Sequence, residues 1–267
     1  MRVEGESVMK KVFDGYSLPL TPKNESSLIN ELPWYFGGDV IEILYHCDYS
    51  IFREYLPECF SVTEYGPLVS VSIIDMTSIT KKDIEINNVV QTGYRECIIK
   101  FCCSFNNKTI WFPIITYVDK DFSLVRGYIQ GFSKKEANIS FTKFHCLNEL
   151  LNKISAGTNI KGVCNNSDIN IYLSLELIKQ ISETELKSFP ICTNRYIPDI
   201  SNKKEYLVND LVEIKMDNIK KENIWECEGN VIIEGKSEFA KFQPTKIIKS
   251  FRYSQGFKII GGDILDE

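Results

Sequence analysis

The sequence predicts an α+β chain in which strands dominate, folded as one antiparallel barrel or sandwich with a few helices. Three observations predict it. Aromatic residues are abundant, with 16 Phe and 13 Tyr among 267 residues, and together with recurrent Ile and Val they favour pleated, half-buried surfaces. Apolar residues alternate at period two in segment after segment, as from Leu68 to Met76 and on both sides of Asn106-Asn107-Lys108. Polar turns separate these segments, and no linker, internal repeat or low-complexity tract interrupts them. A hydrophobic content of 43% supports a sizeable core, and the length is normal for a single β-rich domain.

Taken in order, residues 1–30 are polar and poorly periodic, and they read as an N-terminal arm before a single domain over 31–267. Val40 to His46 reads as a strand. Asp48 can cap a short helix through Tyr55, which Pro57 terminates. Leu68 to Met76 is the next strand. Glu96 to Phe105 and Thr109 to Val118 flank Asn106-Asn107-Lys108, a hairpin turn by composition. Leu124 to Gly131 and Ile169 to Leu175 read as further strands. Leu177 to Ser188 has helical spacing and ends before Pro190. The remainder, Ile191 to Ile264, reads as strand-like segments separated by polar turns.

Composition excludes several classes of function. The net charge is −5 and there is no arginine cluster, so nucleic acid is not an expected partner. No apolar run approaches the ~18 residues of a membrane helix, and Met1 to Leu20 lacks a signal-peptide core. A cytoplasmic protein without membrane partners is expected. The nine cysteines include no C-x-x-C pair, and the only histidines are His46 and His145, so a metal site is poorly supported. The thiols read as reduced and mostly buried.

The chemistry-bearing candidate is a lysine pair in an apolar setting, Gly131-Phe132-Ser133-Lys134-Lys135-Glu136-Ala137-Asn138-Ile139. A lysine in an apolar place can lose its proton and attack ketones. A free lysine has a pKa of about 10.4, and reaching a pKa near 6 requires about 6 kcal/mol of relative destabilisation of the ammonium. A second cation 4 to 6 Å away supplies about 3 to 4 kcal/mol at an effective dielectric near 20. Lys135 is the next residue, and on a strand it points to the opposite face from Lys134. Desolvation in an apolar pocket must then supply much of the shift. Glu96, just before an apolar strand, is the carboxylate best placed by sequence to handle protons or orient a substrate.

The segment Tyr117-Val118-Asp119 … Gly131-Phe132-Ser133-Lys134-Lys135 resembles the Schiff-base region of the acetoacetate decarboxylase family, whose usual form is G-x-P-K-K. Glu96 lies as far upstream of Tyr117 as the family's active-site glutamate lies from its matching tyrosine. Ile43-Leu44-Tyr45-His46-Cys47-Asp48, Pro67-Leu68-Val69, Asn194-Arg195-Tyr196 and Trp225 also find counterparts, so the resemblance spans about residues 31–265.

The resemblance implies a closed antiparallel barrel with an apolar cavity and a few flanking helices, assembled into a homo-oligomer, with no metal or organic cofactor. It implies that Lys134 forms the imine, that Lys135 is the cation that lowers its pKa, a lysine activation known for acetoacetate decarboxylase, and that Glu96 is a pocket acid. The partner implied is a small keto acid. Three readings follow: a lyase that decarboxylates acetoacetate or a larger β-keto acid; an enzyme of aldol, dehydration or cyclisation chemistry on a 2-keto acid through the same lysine; and a non-catalytic barrel that binds an apolar ligand. The departures bear on the choice. Gly38 stands where the family has a substrate-binding arginine, Ser72 where it has a second glutamate, Ser133 where it has proline, and Arg126-Gly127-Tyr128 replaces a Gly-Arg-Glu run. Gly38 and Ser72 are expected to enlarge the pocket, which argues against small acetoacetate, and Arg126 or Arg195 could supply the missing carboxylate clamp.

Overall fold

The computed structural model describes residues 15–23, 25–80, 87–186, 188–202 and 204–265. Residues 1–14 of the expected arm lie outside them. Within 15–30, Ile29 is buried and its backbone N–H donates to the buried Ser17 hydroxyl (2.9 Å).

The strands are β1 (Trp34–His46), β2 (Ser61–Val62), β3 (Leu68–Ile79), β4 (Gly93–Phe105), β5 (Lys108–Val118), β6 (Lys134–Glu136), β7 (Asn138–Phe141), β8 (Asn159–Asn165), β9 (Ile169–Gln180), β10 (Cys192–Pro198), β11 (Tyr206–Gly235) and β12 (Lys246–Leu265). Among the described residues two α-helices join them, α1 (Tyr49–Tyr55) and α2 (Asp121–Gln130). All strands belong to one sheet, in the order β6-β5-β4-β3-β1-β12-β11-β9-β8-β7, with β10 pairing β11 and β2 pairing β4. The β-dominant expectation holds, with two differences. The sheet is mixed, because β6 pairs parallel with β5. Its hydrogen-bonded order is also open between β6 and β7, although only Ala137 separates these two edge strands in the chain.

The central strands are long apolar runs because they are covered on both faces. One face carries Ile41, Ile43, Val71, Ile73, Ile99 and Phe101, and α1 packs there by stacking Phe52 on Phe101 at 4.3 Å. The other face carries Phe36, Val40, Ile74, Met76, Tyr94 and Ile98, and α2 packs there through Phe122. Helix α1 begins as its sequence dictates, with the Asp48 carboxylate accepting from the backbone N–H groups of Ser50 and Ile51. Asn106 and Asn107 have φ of 47° and 63° and make the two-residue turn between β4 and β5.

Two elements differ from expectation. Leu124 to Gly131, expected as a strand, lies in helix α2 and its C-cap. Its buried positions Phe122, Ser123, Arg126 and Gly127 follow helical spacing, and Gly131 ends it in the left-handed region at φ 90°. A parallel pair needs a crossover, and α2 is that crossover between β5 and β6. Leu177 to Ser188, expected as a helix, instead completes β9 and enters a 3-10 turn at Glu183–Glu185. Leu173, Leu175 and Leu177 are all buried, so period two continues past the expected boundary.

All nine cysteines are free thiols; seven are buried, and Cys59 and Cys146 are exposed. Among the described residues no helix is long and apolar enough to cross a membrane, and no group of three or more His, Cys, Asp or Glu residues could hold a metal ion.

Candidate active site

Sheet register builds the site. Glu42, Ser72, Ile98, Thr116 and Lys134 lie opposite one another in turn across β1, β3, β4, β5 and β6. On β4, Glu96 is two residues before Ile98, on the same face. This face walls a cavity of about 330 Å³, lined mostly by apolar side chains such as Ile74, Ile98, Phe132 and Ile214.

Lys134 enters the cavity under α2, with its side chain only 5% exposed. Its Nζ donates to Ser123 Oγ at 2.9 Å and to Glu96 Oε2 at 3.5 Å. The rings of Tyr94 and Phe132 lie 5.5 and 5.6 Å from Nζ. Gly127 makes the approach possible: a Cβ there would stand 2.7 Å from both Cγ and Cε of Lys134. Burial holds the Lys134 pKa below that of an ordinary lysine. Glu96 opposes the shift, and the Arg126 cation adds to it.

Arg126 is buried one turn beyond Ser123 on α2. It donates to Ser78 Oγ at 2.7 Å and stands 5.2 to 5.3 Å from the rings of Trp34, Phe36 and Phe122. Tyr94 is also buried, its hydroxyl donates to Met76 Sδ at 3.3 Å, and burial pushes its pKa up, so it stays a neutral hydroxyl.

The structure therefore brings Lys134 and Glu96 together but not Lys135. Lys135 pairs with Tyr117 in the ladder and is exposed on the other face, as neighbours on a strand must be. The cation acting on Lys134 is Arg126. Of the two clamp candidates, Arg126 lines the cavity, whereas Arg195 is ion-paired to Asp210 outside it. Ser72 lines the cavity as expected. Gly38 does not: it lies in a separate cleft with Asp39 and Asp75, and a Cβ there would stand 2.9 Å from Met76 Cα. On this backbone Gly38 is a close strand approach, not added cavity space, and a longer side chain does not fit. Ser123 carries no sequence signal of its own, because its place beside Lys134 depends on the helical course of α2.

A second charged group sits at the other end of the cavity. Glu42 accepts from Ser70 Oγ (2.6 Å), Lys100 Nζ (3.1 Å) and the Tyr253 hydroxyl (2.9 Å). Burial alone would raise its pKa, but Lys100, these hydrogen bonds and Lys221 hold it down at about 2.

The profile of the acetoacetate decarboxylase family matches residues 17–267. No curated protein matches significantly in sequence. Among solved structures, an acetoacetate decarboxylase-like enzyme from Sphingomonas wittichii RW1 superposes with a TM-score of 0.85 at 23% identity, covering 95% of this chain and 100% of that one. The enduracididine biosynthesis enzyme MppR, complexed with the condensation product of pyruvate and imidazole 4-carboxaldehyde, does so with a TM-score of 0.83 at 19% identity, covering 94% and 96%. An acetoacetate decarboxylase from Legionella pneumophila gives 0.72 at 16% identity, covering 89% and 88%. With the family profile spanning nearly the whole chain around the buried lysine, this protein belongs to the acetoacetate decarboxylase family.

Proposed function

We propose that the protein is a Schiff-base-forming lyase that decarboxylates a β-keto acid. The observation that carries this reading is Lys134: a lysine sealed in an apolar cavity, its ammonium disfavoured by burial, beside one carboxylate. The neutral Nζ attacks the ketone carbon, one proton from solvent turns the carbinolamine hydroxyl into leaving water, and a protonated imine remains. The bond to the carboxylate carbon then breaks, carbon dioxide leaves, and the electron pair moves to the imine nitrogen to give an enamine. Glu96, 3.5 Å from Nζ, is positioned to relay a proton from water to the enamine carbon, which restores a protonated imine. Water then hydrolyses the imine, releasing the ketone and the free lysine. Arg126, which lines the cavity, is the cation we assign to the substrate carboxylate next to the ketone. Lys135, exposed on the opposite face, has no part in these steps. The family's closed barrel and homo-oligomeric assembly are part of the same proposal.

A second reading is condensation or dehydration of a 2-keto acid through the same imine. It is supported by the similarity to MppR, a relative solved with a condensation product of pyruvate.

Borohydride added in the presence of acetoacetate, a longer β-keto acid or pyruvate, followed by peptide mass mapping, tests both. An adduct on Lys134 that vanishes in Lys134→Arg supports Schiff-base chemistry, and release of carbon dioxide separates the first reading from the second. Absence of any adduct with all three acids overturns both readings in favour of a non-catalytic binding barrel.

A further inference from the structure

The end of the cavity remote from Lys134 carries more positive charge than its own hydrogen bonds use. Lys100 is committed to Glu42, with side chains 12% and 9% exposed. The Glu42 oxygens are already taken by Ser70, Lys100 and Tyr253. Lys221 also lines the cavity there, half-buried, with its Nζ 5.3 Å from the centre of the Tyr253 ring. Among the described residues no carboxylate lies within ion-pairing distance of it. Burial lowers its pKa; Glu42 and the exposed Glu183 oppose the shift, and Lys100 adds to it. A desolvated cation without a close anion is costly unless something else supplies one. The buried pair supplies one positive and one negative charge, and Lys221 adds a positive charge that no close carboxylate answers; Lys249 and Glu185, both exposed, lie at the rim.

The stretch between the two ends is mostly apolar, and Ser72 interrupts it. Ser72 is 1% exposed, and its Oγ has no hydrogen-bond partner. Lys100 is four residues beyond Glu96 on the same face of β4, which puts their Cα atoms about 13 Å apart at the usual strand rise.

We propose that the cavity takes an extended keto acid with a second anionic group at the far end of its chain, the ketone at Lys134 and the distal carboxylate held by Lys221 beside Lys100. This rests on the Schiff-base reading above for the end at Lys134. The methylenes of such a substrate lie along Ile74, Ile98 and Ile214, and Ser72 offers a hydroxyl to an oxygen carried part-way along the chain.

The test uses probes without a ketone, so that binding is separate from chemistry. Adipate, suberate and sebacate are compared with hexanoate, octanoate and decanoate by isothermal titration, on the wild-type protein, Lys221→Met and Lys221→Arg. Neither substitution breaks the Glu42–Lys100 pair, and thermal melts check that both variants fold. The expected result is that at least one dicarboxylate binds about tenfold more tightly than its monocarboxylate, the factor given by one charge-assisted hydrogen bond. The preference should vanish in Lys221→Met and persist in Lys221→Arg. Equal affinities in the wild type, or a preference that survives Lys221→Met, would overturn the proposal. Borohydride trapping on Lys134 reports the Schiff-base reading alone, and the dicarboxylate ratio reports the distal site alone, so the two failures are distinguishable.

Discussion

Replacing Glu96 by glutamine isolates the one carboxylate that opposes activation of Lys134. The two charges lie 3.5 Å apart with side chains 5% and 13% exposed. At an effective dielectric near 20 such a pair interacts by about 5 kcal/mol, which corresponds to about 3.5 pKa units. The sign follows from which form the carboxylate favours. Glu96 stabilises the ammonium, so its removal lowers the Lys134 pKa further, and because the glutamine amide oxygen keeps part of the attraction the expected drop is about 1 to 3 units. The assay is the pH dependence of Lys134 acetylation by acetic anhydride, followed peptide by peptide by mass. Imine formation should survive, so borohydride trapping of a β-keto acid persists and extends to lower pH. Turnover should fall by about 10²- to 10⁴-fold, the range for losing a positioned proton donor. An unchanged or raised Lys134 pKa would refute the electrostatic argument, and turnover at the wild-type level would refute the proton-transfer role.

Four further outcomes follow from the same geometry. Gly127→Ala places a methyl within 2.7 Å of the Lys134 chain, and it is expected to leave the helix intact while turnover drops about 100-fold through misplacement of Nζ, read as kcat against thermal stability. Arg126→Met removes a cation that helps to lower the Lys134 pKa, so that pKa should rise and the acid limb of the rate profile should move to higher pH. Lys135→Ala, at an exposed position, should leave the profile unmoved, and a shift in that variant would return the activating role to Lys135. Finally, Glu42 is held at about 2 against 4.5 in the unfolded chain. Its contribution of about 3 kcal/mol is fully present above pH 4.5 and is lost as the pH falls towards 2. Urea midpoints measured across that window should fall steeply in the wild type and less steeply in Glu42→Gln.

Much of this protein was determined locally and could be read without a structure. The strands β1, β3, β4, β5 and β9 follow from apolar runs of Ile, Val, Phe and Tyr; helix α1 follows from Asp48 and Pro57; and the hairpin follows from Asn106-Asn107, because backbone conformation there depends on the residues themselves. The lysine motif, with Glu96 at a fixed separation, likewise points to the proposed chemistry. What only the tertiary structure decided depends on neighbours distant in sequence. Leu124 to Gly131 contains β-branched residues and a glycine and passes for a strand. It becomes helix α2 because Phe122 and Arg126 bury against the sheet and because the parallel β5–β6 pair requires a crossover. That helix brings Ser123 and Arg126 to Lys134, while strand alternation turns Lys135 away, so the cation beside the buried lysine comes from eight residues upstream rather than from the next residue. The Glu42–Lys100–Tyr253 group joins residues 58 and 211 apart in the chain. Only the register of β1 with β3, β4 and β12 makes it one wall of the same cavity, because cross-strand contacts depend on pairing and not on sequence spacing.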